Sequence, residues 1–369
     1  MNLSDLSPSY IRSIAAYQPG KPISDVAREL GLNEADIVKL ASNENPLGTG
    51  KKALAAIQAA LQDLAFYPDG GGFRLKAAIA KKFGVKTGQI ILGNGSNDIL
   101  ELAARTFMHE GDSAIYSQFA FAVYPLVTQA VGAAGIEVKA QNFGNDLEAM
   151  LAAIRLGSKI IFVANPNNPT GTFVSATVLH AFLTRVPKNV LVILDEAYGE
   201  YLAAEDAYDS VPWLAAFPNL IISHTLSKAY GLAGLRIGFG LAAPELIDLM
   251  NRVRQPFNVN HLAMVGAIAA LGDDEFITES RRVNAEGLAL LAREFATRGL
   301  DAIPSYGNFI TFKIGRTGEV YQSLLRQGVI VRPVAGYGMP DYLRVSIGTA
   351  SQNERFLCAL EVARTDLKV

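Results

Sequence analysis

The sequence predicts an α/β fold: a large domain on a mainly parallel central sheet, plus a smaller α+β domain. Three observations lead there. Short apolar runs such as KIIFVAN (159–165) and NVLVILDE (189–196) are rich in β-branched residues and do not alternate with polar ones, as expected of strands covered on both faces. Helical patterns fall between these runs. After about residue 255 the rhythm changes to a long helical stretch followed by α+β material. The 369 residues suffice for two such domains.

Residues 1–45 read as an N-terminal arm packing with the small domain. YQPGKP (17–22) carries turn residues, and VKLASNENPLG (38–48) is a short strand running into a turn. The large domain covers 46–255. KKALAAIQAALQDL (51–64) and FRLKAAIAKKFG (73–84) are helices, the second stopped by Gly84. QIILG (89–93) is a strand and NDILELAARTF (97–107) a helix. SAIYS (113–117), the 159–165 and 189–196 runs, NLIISH (219–224) and RIGFGLA (236–242) are further buried strands. The small domain covers 256–369. It holds a helical stretch (261–300), NFITFKI (308–314), a helix (317–327), VIVRPV (329–334), YLRVSIG (342–348) and a final helix. No repeat, low-complexity tract or long linker interrupts the chain.

Composition narrows the class. Half the residues are apolar and the formal net charge is −2, which favours neither nucleic acid nor an anionic membrane as partner. A single cysteine, Cys358, excludes an intrachain disulfide and suits a reducing compartment. Its setting, ERFLCALEVA, reads as a buried helix position. MNLSDLSPSYIRSI lacks the apolar core of a secretion signal, and LAMVGAIAALG (262–272) is too short to cross a bilayer. A cytoplasmic protein is expected. The four histidines, at 109, 180, 224 and 261, show no metal-ligand spacing, and no metal is expected.

The chemistry sits where strands end. GNGSND (93–98) follows a strand and opens a helix, so backbone N–H groups and the positive helix end face an anion, with Ser96 and Asn97 as added donors. Asp98 stands where a dinucleotide fingerprint needs its third glycine. Asp195 ends the run VLVIL, and a carboxylate at that buried edge needs a partner. LVILDE also resembles a nucleotide-binding acid strand. Its companion phosphate loop is missing, because NPLGTGKK (45–52) has Asn45 and Lys52 at two required positions. Tyr198 lies three residues past Asp195. NPNNPTG (165–171) is a rigid polar turn presenting Asn168. TLSKAYGLAGLRIGF (225–239) sets Thr225, Ser227 and Arg236 around Lys228. An amide, a carboxylate, an amine and a guanidinium together are what pyridoxal phosphate requires of a protein.

With these motifs the chain resembles the fold-type-I pyridoxal-phosphate aminotransferases. Through YQPGKP, LASNENPLG, YPDGG, NFITF and VRPVAGYGMPDYLRVSIGT as well, it is similar to the histidinol-phosphate aminotransferase family across nearly its whole length. The resemblance implies a fold-type-I large domain and pyridoxal 5'-phosphate as cofactor. Lys228 would be the Schiff-base lysine and Asp195 the partner of the pyridine nitrogen. Asn168 and Tyr198 would bind the ring oxygen, and Ser96, Asn97, Thr225, Ser227 and Arg236 the phosphate. Tyr67 would reach the phosphate of a neighbouring subunit's cofactor, implying a homodimer. Arg344 and Arg332 would bind substrate anions, Asn168 would touch substrate, and Tyr17 would close the site. The implied reaction is transamination between histidinol phosphate and 2-oxoglutarate, yielding imidazole-acetol phosphate and glutamate. An aromatic amino-acid aminotransferase and a phospho-amino-acid decarboxylase on the same scaffold stay open at this point. Two positions depart from the pattern. Phe121 stands where a ring-stacking tyrosine is expected, so it stacks without donating a hydrogen bond. Asn97 replaces the usual acid, with Asp98 next to it.

Overall fold

The unalternating runs gather into one sheet. The structure, a computed structural model, describes residues 2–16 and 20–369. After the short β1 (Val38–Lys39) come β2 (Ile90–Gly93), β3 (Ser113–Ser117), β4 (Ala134–Val138), β5 (Ser158–Ala164), β6 (Leu191–Asp195), β7 (Leu220–Thr225) and β8 (Gly238–Ala242). The central sheet runs β2-β8-β7-β6-β5-β3-β4. Only β8 runs against its neighbours β2 and β7; the other pairs are parallel. This is the fold-type-I arrangement the sequence implied.

Double-sided burial explains the missing alternation. On β5, Ile161 and Val163 join one apolar core while Ile160, Phe162 and Ala164 join the other. Both faces of a central strand must then be apolar. Truncating fully buried Phe162, which stacks on Tyr124 at 4.7 Å, would cost about 3–5 kcal/mol. The edge strand β4 (AGIEV) escaped the sequence pattern because its first two residues are exposed and it carries Glu137.

The 261–300 stretch is two helices. Asn260 caps the first, His261–Leu271, by accepting from the Ala263 N–H at 2.8 Å; the chain breaks at Gly272 and restarts as Asp274–Thr297. The first of these packs against Lys51–Ala60 and Phe73–Phe83, beside the central sheet. A Cβ at Gly266 would come within 3.1 Å of Ile57.

The remaining strands are β9 (Ala302–Ile303), β10 (Phe309–Lys313), β11 (Val329–Ile330), β12 (Arg332–Pro333) and β13 (Tyr342–Ser346). They form an antiparallel sheet, β12-β13-β10-β9, and a parallel β1–β11 pair that draws residues 38–39 to this part of the molecule. A separate core of Leu40, Phe295, Phe312 and Phe356 lies beneath. Cys358 corrects the sequence expectation: it is exposed. The final helix, Ala350–Leu367, buries Phe356, Leu357, Leu360 and Ala363, and position 358 falls off that face. Among the described residues no helix is long and apolar enough to cross a membrane.

Candidate active site

One cavity opens outside the carboxyl ends of β5, β6 and β7, the edge where open α/β sheets bind ligands. Its floor is Asp195, the last residue of β6. Oδ2 accepts from the Tyr124 hydroxyl at 2.9 Å, while Oδ1 is buried without a hydrogen-bond partner among the described residues. Burial pushes its pKa up to about 6, against the pull of Tyr124 and the Ala197 N–H. A protonated ring nitrogen would supply the missing partner and favour the carboxylate.

Lys228 enters from the loop after β7. Its Nζ donates to the Ser42 carbonyl at 2.9 Å and lies 6.0 Å from the Tyr198 ring centre. Burial of the ammonium, then the charge of Arg344, lowers its pKa to about 8. An amine so placed can shed its proton and act as nucleophile or base near neutrality. The Tyr198 hydroxyl accepts from the Asn43 side-chain amide at 2.9 Å, and burial pushes its pKa up to about 12.

The anion cup forms where the helix Ser96–Phe107 meets the 225–236 loop. Ser96, Asn97, Thr225, Ser227 and Arg236 all line the cavity there. The Ser227 N–H donates to Thr225 Oγ1 at 3.1 Å, and Arg236 Nη1 lies 3.4 Å from Ser227 Oγ. Close approach depends on two glycines. A Cβ at Gly95 (φ 86°) would sit 2.7 Å from Arg236 Nη2, and one at Gly238 2.5 Å from the Ser96 nitrogen. Asp98 holds the turn by accepting from the Asn94 N–H at 2.8 Å and the Asn258 amide at 2.7 Å. The other nucleotide-loop candidate has a structural occupation, since Lys52 pairs with Asp273 at 3.0 Å.

Across the cavity, buried Arg344 donates to Asn168 Oδ1 and, at 3.0 Å, to the Ala41 carbonyl. Phe121 lines the opposite wall, edge-on to Tyr124 at 5.8 Å. Two expected residues lie elsewhere. Arg332 is the register partner of Arg344 across β12 and β13 but does not line the cavity. Tyr67 is 84% exposed and stacks on Phe257 at 4.8 Å, away from the cavity of its own chain. Tyr17 lies outside the described residues.

Sequence reasoning missed Asn43, Tyr124 as the holder of Asp195, and Tyr337. Asn43 stood in the quoted LASNENPLG motif and Tyr337 in the quoted VRPVAGYGMPDYLRVSIGT, which was the available signal; nothing local tied Tyr124 to Asp195. Behind the floor, Glu196 faces away from the cavity. Its Oε2 accepts from Ser210 at 3.0 Å and lies 3.6 Å from His224 Nε2, beyond hydrogen-bond reach. Burial pushes Glu196 up to about 8 and His224 down to about 4.

Comparison with known proteins agrees with this geometry. The family model for aminotransferase class I and II matches residues 35–360. A histidinol-phosphate aminotransferase of Methylobacillus flagellatus is 60% identical over 97% of this chain and 97% of its own. Histidinol-phosphate aminotransferase 2 of Nitrosospira multiformis is 56% identical, covering 98% of this chain and 93% of its own. Among solved structures, the histidinol-phosphate aminotransferase of Sinorhizobium meliloti in complex with pyridoxal-5'-phosphate superposes with a TM-score of 0.88 at 26% identity, covering 97% of each chain. Matched this closely in sequence and shape, the chain belongs to the aminotransferase class I and II family, in its histidinol-phosphate aminotransferase branch.

Proposed function

We propose that this protein exchanges an amino group between histidinol phosphate and 2-oxoglutarate, with pyridoxal 5'-phosphate as cofactor. The carrying observation is buried Asp195 Oδ1, without a hydrogen-bond partner among the described residues, in the cavity that also holds Lys228. The substrate reading takes its support from the relatives' names.

The residues fit the cofactor. Asp195 would pair with the ring nitrogen, Asn168 and Tyr198 would meet the ring oxygen, and Phe121 would stack on the ring. Ser96, Asn97, Thr225, Ser227 and Arg236 would hold the phosphate. When bound, pyridoxal phosphate supplies a carbonyl for covalent capture of amines and a ring that withdraws electrons from the donor's α-carbon. Lys228 provides the capturing amine, then takes the α-proton and redelivers it one carbon away. Its lowered pKa serves the second role. Ionised Asp195 sustains electron withdrawal by keeping the ring nitrogen protonated. Arg344 orients the substrate anion, phosphate in one half-reaction and carboxylate in the other, since its planar fork suits both. The resemblance also gives this end Arg332, which is the register partner of Arg344 and does not line the cavity, and Tyr17, which lies outside the described residues.

The protein acts in the cytoplasm as a homodimer in this reading. Phe66, Tyr67 and Phe73, all exposed within eight residues of one another, are surface that a second copy would cover. The test is a half-reaction. Cofactor-loaded protein is mixed with histidinol phosphate or phenylalanine, without keto acid, and the cofactor's visible absorption is followed. Fast loss with histidinol phosphate alone, restored by 2-oxoglutarate, is expected. Equal or faster loss with phenylalanine replaces the reading with an aromatic aminotransferase. Release of carbon dioxide from a phosphorylated amino acid replaces it with a decarboxylase.

A further inference from the structure

The connection from β12 to β13 puts a ring into the cavity that the reaction has not yet used. Arg332 and Arg344 are register partners across this antiparallel pair, so the turn joining their strands is tied to both arginines. Ala335–Tyr337 forms a single 3-10 turn, closed by Gly338 (φ 79°), whose N–H donates to the Ala335 carbonyl at 2.9 Å. Tyr337 lines the active cavity together with Phe121, Asn168 and Arg344. It lies near enough to Tyr198 to oppose ionisation of that phenol.

The turn is backed by a small core of its own. Ile303, Val334 and Met339 are buried together, and Phe119 and Phe143 pack on them from the central-sheet side. Phe119 adopts φ 58°, and a Cβ at Gly338 would lie 3.6 Å from its ring. Tyr337 is therefore carried by a turn held on both sides.

Beyond this ring lies a second cavity. It holds about 210 Å³, against about 170 Å³ in the active cavity, and Ser117, Gln118, Phe119, Glu137 and the same Tyr337 line it. Ser117 Oγ is buried there without a hydrogen-bond partner among the described residues. Residues 119–122 divide between the two spaces. Phe121 faces the active cavity, whereas Phe119, Ala120 and Ala122 face the other. Tyr337 contributes to both walls.

We infer that Tyr337 is a specificity-determining residue, the partition that keeps the donor's ring out of the second cavity. This rests on the reading that the donor is histidinol phosphate. A fixed aromatic ring makes a flat apolar wall. Shortening it joins the two spaces and makes room for a donor ring larger than imidazole. The anion-binding end, set by Arg344, stays in place.

The experiment compares cofactor-loaded wild type, Tyr337→Ala and Tyr337→Phe. Values of kcat/KM are measured for histidinol phosphate and phenylalanine, with binding of unreactive 3-phenylpropionate followed by cofactor absorbance. Tyr337→Ala is expected to raise the phenylalanine-to-histidinol-phosphate ratio by about tenfold, the scale on which pocket size discriminates substrates, and to tighten 3-phenylpropionate. Tyr337→Phe, which keeps the ring, is expected to keep the wild-type ratio. An unchanged ratio in Tyr337→Ala, or a matching shift in Tyr337→Phe, overturns the partition. Tyr337→Leu replaces the alanine variant should that one lose its cofactor. Wild type that ignores histidinol phosphate defeats the functional reading alone, because 3-phenylpropionate binding still tests the wall.

Discussion

The floor of the cavity and its rim are built differently. The floor is made of strand ends. Asp195 closes β6, Thr225 closes β7 and Ser96 opens the helix after β2, so a sheet buried on both faces fixes their positions. The rim is assembled from distant segments: Asn43 from the arm, Asn168 from a proline-framed turn, Arg344 and Tyr337 from the small antiparallel sheet. In the proposed reading the floor groups, with Asn168, would hold the cofactor, and Arg344 and Tyr337 of the rim would meet the substrate. A rigid floor can hold a cofactor through many turnovers, while a composite rim is where selectivity can vary on an unchanged scaffold.

The largest expected effect is on the floor. With the roles proposed for Lys228, its replacement by alanine would remove both the capturing amine and the base, and turnover should fall by about 10³-fold or more. Borohydride should no longer fix the cofactor covalently to the chain. Covalent fixation surviving in this variant would place the linkage on another amine. At the rim, Arg344→Ala should lower kcat/KM for histidinol phosphate and 2-oxoglutarate by about 10²-fold, the scale for removing a buried hydrogen-bonded charge. Borohydride fixation of the cofactor at Lys228 should persist. Unchanged kinetics with both substrates would remove Arg344 from the anion site, and loss of cofactor would show that rim and floor are not separable.

Legibility in the sequence follows the same division. The floor could be read because a buried strand and the polar residue ending it are adjacent in the chain: LVILD names both Asp195 and the strand that positions it. The rim depends on pairings that leave no local trace. Nothing in residues 117–124 (SQFAFAVY) states that Tyr124 reaches Asp195, 71 positions away, nor that a turn after Arg332 lies against Phe119. Motif resemblance supplied Arg344, because the arginine and its β13 strand form one segment. It also supplied Arg332, which the structure puts opposite Arg344 but not in the cavity wall.

A smaller effect separates the floor from its underside. Glu196 sits among Ser210, Tyr208, Asp209, Glu200 and His224, and is held up at about 8 against an ordinary 4.5. The folded chain thus keeps a proton that the unfolded chain releases, and stability from this group falls as pH rises from about 4.5 towards 8. His224, held down at about 4 from 6.5, acts oppositely, adding stability as pH rises through that interval. Between pH 6.5 and 8 only Glu196 of this pair still contributes a slope. Glu196→Gln should therefore flatten the loss of cofactor-free stability there by on the order of 1–2 kcal/mol, read from urea midpoints at several pH values. Parallel curves for variant and wild type would mean that Glu196 is ionised in the folded protein.

The smallest effect lies at the farthest part of the rim. Tyr67 is 84% exposed and stacks on Phe257, so it cannot serve the cavity of its own chain as it stands. If its hydroxyl reaches a neighbouring subunit's phosphate, Tyr67→Phe keeps the stacking and loses one hydrogen bond. Cofactor should then dissociate roughly five- to tenfold more readily, about 1 kcal/mol. Hybrid dimers decide whose site is affected. In a Tyr67→Phe chain paired with a Lys228→Ala chain, the only cavity with an intact lysine is on the first chain, and its neighbour supplies an intact tyrosine. Wild-type cofactor retention at that cavity makes the rim a two-chain structure. Retention as weak as in the Tyr67→Phe homodimer makes it the work of one chain, and the division between a local floor and a composite rim would then end within a single subunit.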